Sequence, residues 1–258
     1  MHNSTLNSIF NRTSLRKYKN VEIEENHLNL ILESAMRAPT AGNMMMYSII
    51  VVKDSKTKEL LSKTCDNQPF IATAPVILIF LADMHRLYKY FENCNIKDYC
   101  NKANVKFKTP NLSSLFLAAG DAFIAAQNTV IAAESLNIGS CYIGDIIENY
   151  EIHKKHFNLP DWTFPISMLC LGYYPDDYPK KITPRFDKKY IIHSEHYHDL
   201  NKDDFKTMYE PYENKIPKPN KYNAENFGQF LYGRKFSQEF SNEMERSINV
   251  ILKHWQKK

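Results

Sequence analysis

The stretch Arg12-Thr13-Ser14-Leu15-Arg16 sets two arginines four residues apart, with hydroxyls between them. Guanidinium forks match phosphate oxygens in both shape and charge, and hydroxyls supply further donors. The segment is therefore a candidate phosphate-binding cluster; the competing reading is a solvated helix end. Other familiar chemistry is missing. The chain has no G-x-G-x-x-G and no Walker-type lysine loop, which argues against the common nucleotide cradles. It also lacks a G-x-S-x-G elbow and an H-E-x-x-H pair. His193, His196 and His198 are read as surface residues of a tail, so no metal site is expected. The five cysteines form no Cys-x-x-Cys pair and no cluster with histidine at zinc spacing. Cys94 and Cys100 alone are close enough in sequence to pair, and free thiols are the favoured reading.

The elements that must hold such a cluster can be read from periodicity. Leu28, Ile31, Leu32, Ala35 and Met36 repeat at helical spacing, and Pro39 and Gly42 end that helix. Tyr47 to Lys53 and Val76 to Ala82 are buried strands, with a short helix capped by Asp54 between them. Residues 83–112 form one or two helices outside the core. From about Leu112 to Leu136 an alanine-rich helix is apolar nearly all round, which places it in the core or in an obligate interface, with Gly139 as its C-cap. Ser140 to Ile143 and Ile166 to Gly172 are further strands, and a short helix ends at Pro160. Beyond Tyr173 a polar, aromatic tail is punctuated by prolines. Its last helix, from about Ser237, sets Phe240, Met244, Ile248, Leu252 and Trp255 on one stripe.

Composition bounds the rest. A chain of 258 residues, 43% of them hydrophobic, can bury a sizeable core without needing a second domain. The expectation is one domain over 1–258, with 174–258 as a C-terminal arm packing on the core or on a partner subunit. A net charge of +4, with lysines interspersed among acids, lacks the basic stripe of a nucleic-acid binder. The longest uninterrupted apolar run, Ala74 to Ala82, has the length of a strand, so no membrane span is expected. Met1-His2-Asn3-Ser4 lacks the features of a secretory leader, and a cytoplasmic protein is expected.

Read with the rest of the chain, the arginine cluster carries a resemblance. Arg12-Thr13-Ser14-Leu15-Arg16-Lys17-Tyr18 resembles the opening motif of the nitroreductase / flavin reductase family. Met36-Arg37-Ala38-Pro39-Thr40-Ala41-Gly42-Asn43, followed by Ser48 to Val52, is similar to its second motif. Gly120-Asp121-Ala122 through Ala132 to Gly139, then Tyr142-Ile143-Gly144, resembles its central helix and following strand. Leu169-Cys170-Leu171-Gly172-Tyr173 with Pro184-Arg185 resembles the branch of oxygen-insensitive NADPH nitroreductases and NADPH–FMN oxidoreductases.

The resemblance implies an α+β fold, a mostly antiparallel sheet wrapped by helices, in an intertwined homodimer with FMN at the subunit interface. It implies electron transfer from NAD(P)H, NADPH favoured, to a small acceptor: a nitroaromatic, a quinone, an azo compound or free flavin. The mechanism would be ping-pong, with the chemistry at flavin N5 and no catalytic side chain. A flavin-binding module without turnover is the alternative. By position, Arg12, Thr13, Ser14 and Arg16 would hold the phosphate and part of the ring edge. Thr40, Asn43 and Met45 would come from the second subunit, Gln68 would lie near the ribityl chain, and Tyr142, Gly144 and Asp145 would stand at the strand end beside N5. Arg185 would bind phosphate, and Lys181 is a candidate for the lysine of the family's Lys-Pro-Arg, which here reads Thr183-Pro184-Arg185. Arg234 and Lys235 are candidates for the NADPH 2′-phosphate. Two further departures stand out: Met44-Met45-Met46 where relatives have a polar residue, and Asp145 where glycine is usual.

Overall fold

The computed structural model describes residues 3–256, so Met1 and His2 of the N-terminal stretch fall outside the described residues. Two compact units emerge: one reaches to Lys181 and resumes at Glu243, and the other is Ile182–Asn242. The first contains helices α1 (Ser4–Asn11), α2 (Glu25–Met36), α3 (Ser55–Thr64), α4 (His85–Asn93), α5 (Ile96–Lys102), α6 (Leu112–Ser135) and α7 (Tyr150–His156). Its strands are β1 (Tyr47–Val52), β2 (Val76–Asp83), β3 (Ile138–Ile143) and β4 (Thr163–Tyr173). The second unit contains α8 (Lys202–Glu213) and α9 (Phe227–Lys235), while α10 (Glu239–Trp255) lies mostly in the first.

The four strands form one sheet in the order β1-β2-β4-β3, antiparallel throughout. β2 is buried along its whole length, which explains its unbroken apolar sequence. Alternate side chains serve opposite faces, as strand geometry requires. Val76, Leu78, Phe80 and Ala82 pack with the alanines of α6, whereas Ile77, Ile79 and Leu81 pack with Leu61 of α3, Ile71 and Ile146.

α6 is held at its start by a reciprocal cap between Asn111 and Ser114. Ala118, Ala122, Ala125, Ala126 and Ala133 are fully buried, and their small side chains bring the helix close to the sheet. The opposite face leaves Phe116, Leu117, Phe123 and Ile124 exposed, Phe116 at 78%. By length and composition alone this helix could cross a membrane, a test that a core helix of this kind also passes. Its alanines contribute to that count, although they lie against the sheet.

Two expectations are corrected. The left-handed residue that closes α6 is Asn137 (φ 59°), not Gly139, which lies inside β3. On α10 the buried positions are Ser247, Ile251 and Trp255, while Ile248 is exposed, so the buried face is rotated from the stripe read from hydrophobicity. Polar anchors set that rotation: Trp255 Nε1 donates to Asn111 O (2.9 Å), Trp162 Nε1 to Trp255 O (3.0 Å), and Arg246 pairs with Glu151 and Glu243. In the second unit, Phe186, Tyr209, Tyr212 and Phe227 form an aromatic cluster. All five cysteines are free thiols.

Candidate functional site

The arginine segment is laid on the sheet by backbone pairing. Ser14 bridges Ser140 in parallel, Leu15 N donates to Ser140 O (2.9 Å), and Lys19 N donates to Tyr173 O (3.0 Å). Two glycines make the approach possible. Gly139 and Gly172 face each other across β3 and β4. A Cβ on Gly139 would stand 2.5 Å from Leu15 Cδ2 and 2.9 Å from Tyr174 Cζ, and one on Gly172 would stand 2.6 Å from Tyr18 Cδ1. The bare strands accept Leu15, which is fully buried, and leave Ser14 and Arg16 exposed. Gly139→Ala is therefore expected to lift this segment, costing about 1–3 kcal/mol as overpacked cores do. Urea denaturation would measure the loss, and a variant as stable as the parent would contradict the packing argument.

The strand end gathers the rest. Arg16 lies over the Phe70 ring, 5.8 Å from its centroid. Gln68 Nε2 donates to Asp145 Oδ2 (2.8 Å) and to Cys65 O (3.1 Å). Burial pushes the Tyr142 phenol up to about 12, opposed by the nearby charge of Arg12. Arg12 itself is half-buried, and its Nε is buried with no hydrogen-bond partner. Behind it, the Glu134 carboxylate accepts from Tyr174 Oη (2.8 Å) and Lys180 Nζ (2.6 Å). Arg12, Thr13, Ser14, Arg16, Gln68, Tyr142, Gly144 and Asp145 thus belong to one neighbourhood.

The second motif forms a separate group. Thr40, Asn43 and Met45 lie in an irregular loop with left-handed backbone at Gly42, Asn43 and Met45. Thr40 Oγ1 accepts from Met45 N (3.3 Å). Asp121 of α6, only 3% exposed, accepts from Ala41 N (2.9 Å) and Met46 N (3.1 Å). Arg86 of α4 donates to the carbonyls of Met45 and Tyr47. Met44 and Met46 line a cavity of about 250 Å³ with Met84, Leu87, Tyr88 and Phe91, so this methionine run meets part of the 83–112 excursion.

With this geometry in place, comparison with known proteins identifies the chain. The model of the Nitroreductase family matches residues 9–173. The chain belongs to the nitroreductase family. It is 31% identical to an FMN reductase [NAD(P)H] of Bacillus subtilis over 214 residues, 83% of this chain and 82% of the relative. An FMN reductase (NADPH) of the same organism is 29% identical over the same shares. Among solved structures, nitroreductase A from Vibrio parahaemolyticus superposes with a TM-score of 0.79 at 25% identity, covering 100% of both chains. The α+β fold expected from the sequence agrees with this.

Within the nitroreductase frame, Lys181 is exposed, and the neighbouring Lys180 is the lysine that pairs with Glu134. Arg185 lies in the second unit, where its guanidinium donates to Thr183 O (3.0 Å). Arg234 and Lys235 are exposed at the end of α9. Sequence reasoning missed Asp121, Arg86 and Glu134 as residues that position these segments. Asp121 carried a legible signal, an acid in mid-helix on the alanine-lined side of an apolar helix. Arg86 and Glu134 carried none, because their partners lie far off in sequence.

Proposed function

We propose that the neighbourhood of Arg12, Arg16, Gln68 and the β3 end holds FMN, and that the chain is an oxidoreductase driven by NAD(P)H. The observation that carries this reading is Arg12: a buried guanidinium Nε with no acceptor, in a segment that also presents Arg16, Thr13 and Ser14. A phosphate supplies the missing acceptor, so the residues present fit the group. Bound FMN supplies the redox chemistry, accepting hydride from NAD(P)H and passing electrons to a small oxidised acceptor such as a nitroaromatic, a quinone, an azo compound or free flavin.

The chain's own residues bind and orient. Arg12 and Arg16 neutralise the phosphate, with Thr13 and Ser14 as further donors. Gln68 would lie near the ribityl chain or ring, and Tyr142 with the backbone of Gly144 and Asp145 would stand at the strand end beside N5. By resemblance, Lys181 assists at the phosphate. Thr40, Asn43 and Met45, which belong to a separate group in this chain, reach the flavin from a second copy. That assigns the exposed apolar face of α6 to a homodimer, in a cytoplasmic protein.

Cofactor extraction and sedimentation are expected to give one FMN per subunit and a dimer. Stopped-flow mixing is expected to bleach the flavin faster with NADPH than with NADH. A colourless monomer that takes up no FMN would overturn the proposal. A yellow protein that neither donor bleaches would be a flavin-binding module without turnover.

A further inference from the structure

The turn after β3 carries a carboxyl that the flavin reading leaves unused. Glu148 lies three residues beyond Asp145, in the same turn, and its N–H donates to Asp145 O (3.0 Å). It is only 5% exposed, and its Oε1 is buried with no hydrogen-bond partner. An ionised carboxylate left without donors in such a place is strongly disfavoured against the neutral acid.

The surrounding charges act in the same direction. Asp145 faces Glu148 from the turn, Asp66 from the end of α3, and Glu243 from α10; the Cys65 thiol stands alongside. The guanidinium of Arg246, on α10, is engaged by Glu151 and Glu243. His153 of α7 supplies no charge at neutral pH. Its Nδ1 contacts Ile146 O, its Nε2 contacts Thr64 Oγ1, and burial holds its pKa down to about 4. Burial first, then Asp145, Asp66 and Glu243, push Glu148 up to about 8. Gln68 meanwhile holds one oxygen of Asp145, and the Asp145 carboxyl lies within hydrogen-bonding reach of Glu148.

We propose that Asp145 and Glu148 form a proton-holding carboxyl pair beside the reaction cleft, in which Glu148 keeps a proton at neutral pH and Asp145 presents it to the reduced acceptor. The location of the cleft rests on the flavin reading above. Hydride transfer to a quinone makes a C–H or O–H bond and leaves one oxygen anionic. Glu148 passes its proton to the Asp145 carboxylate, which then delivers that proton to the anionic oxygen, and solvent reprotonates Glu148. The glycine expected at position 145 could not perform this step, so the departure from the family pattern acquires a role.

Infrared spectroscopy of the full chain against pH, with and without FMN, reads the carboxyl directly. A protonated, buried carboxyl band is expected to persist until about pH 8 and to be absent in Glu148→Gln. Stability reports the same proton. Glu148 moves from an ordinary value of 4.5 when unfolded to about 8 when folded, so its contribution is full below 4.5 and is lost as pH rises to about 8. Glu148→Gln should remove that slope and be the more stable protein at pH 9, which also shows that it folds. In single-turnover oxidation of NADPH-reduced protein by a quinone, Glu148→Gln should be about tenfold slower or more at pH 7, within the usual range for lost acid catalysis. Its FMN affinity should stay at the parent's value. A Glu148 band that titrates below about pH 6, or an unchanged oxidation rate, would overturn the proposal. If Glu148 titrates near 8 but no FMN binds, the carboxyl pair stands and the flavin reading falls.

Discussion

Arg16→Ala is expected to weaken FMN binding roughly tenfold to a hundredfold while leaving riboflavin binding nearly unchanged, as the proposed phosphate contact requires. The size follows from one charged hydrogen-bonding partner lost to a phosphate, on the order of 1.5–3 kcal/mol, with about 1.4 kcal/mol per tenfold in Kd. The selectivity follows from chemistry, since riboflavin lacks the phosphate. The structure makes the variant a clean one. Arg16 is exposed and lies over the face of Phe70, so its removal opens no buried cavity. Arg12 would be a poorer probe, because its half-buried guanidinium neighbours Tyr142 and Tyr174, and its loss would disturb packing as well. Fluorescence titration of both ligands against both proteins decides the matter. Equal weakening for riboflavin and FMN would indicate structural damage, and unchanged FMN binding would make Arg16 a solvated surface residue.

Asp121→Ala destabilises the fold by on the order of 3–5 kcal/mol. Two backbone donors, Ala41 N and Met46 N, end on this one carboxylate inside the protein. Hydrogen bonds to a charged group contribute about 1.5–3 kcal/mol each, and the orphaned N–H groups add a desolvation penalty. The loop cannot relax cheaply, since Gly42, Asn43 and Met45 already occupy left-handed backbone that the carboxylate holds in place. Asp121→Asn keeps one acceptor oxygen and turns a donor toward the other N–H, so its loss should be a substantial fraction of that of Ala. Denaturant midpoints at unchanged m-value measure both. FMN affinity should fall as well, because the loop carries Thr40, Asn43 and Met45. A change within about 0.5 kcal/mol for Asp121→Ala would show that the loop holds its shape without α6.

Gly139 illustrates how far a local rule reaches. Glycine after an apolar helix is a sound cap signal, yet Asn137 closes the turn and Gly139 is a strand residue whose missing side chain admits Leu15. The demand on that glycine comes from a segment more than a hundred residues earlier, which no window of sequence contains. The stripe on α10 departs for a related reason. Hydrophobicity alone favours Ile248, but Trp255 reaching Asn111 and Arg246 reaching Glu151 rotate the helix so that Ser247 and Ile251 face inward.

Periodicity and residue type by themselves determined where the strands and the main helices of the first unit lie, because both signals are local: the apolar repeat of α2, the unbroken run of β2 and the alanines of α6 each state their own burial. Residue type in order also determined the family, since the arginine cluster, the Thr40–Asn43 run and the Tyr142–Gly144 strand end keep their chemistry whatever folds around them. Only the tertiary structure decided which of these residues meet. Gln68 finds Asp145 across 77 residues, Asp121 finds Ala41 across 80, and Lys180, instead of its neighbour Lys181, finds Glu134 across 46. Such pairings depend on sheet order and helix rotation. The orphaned Nε of Arg12 and the buried Oε1 of Glu148 are likewise properties of their surroundings: burial and the want of a partner are set by what the rest of the chain brings to the spot, and a residue's own identity does not contain them.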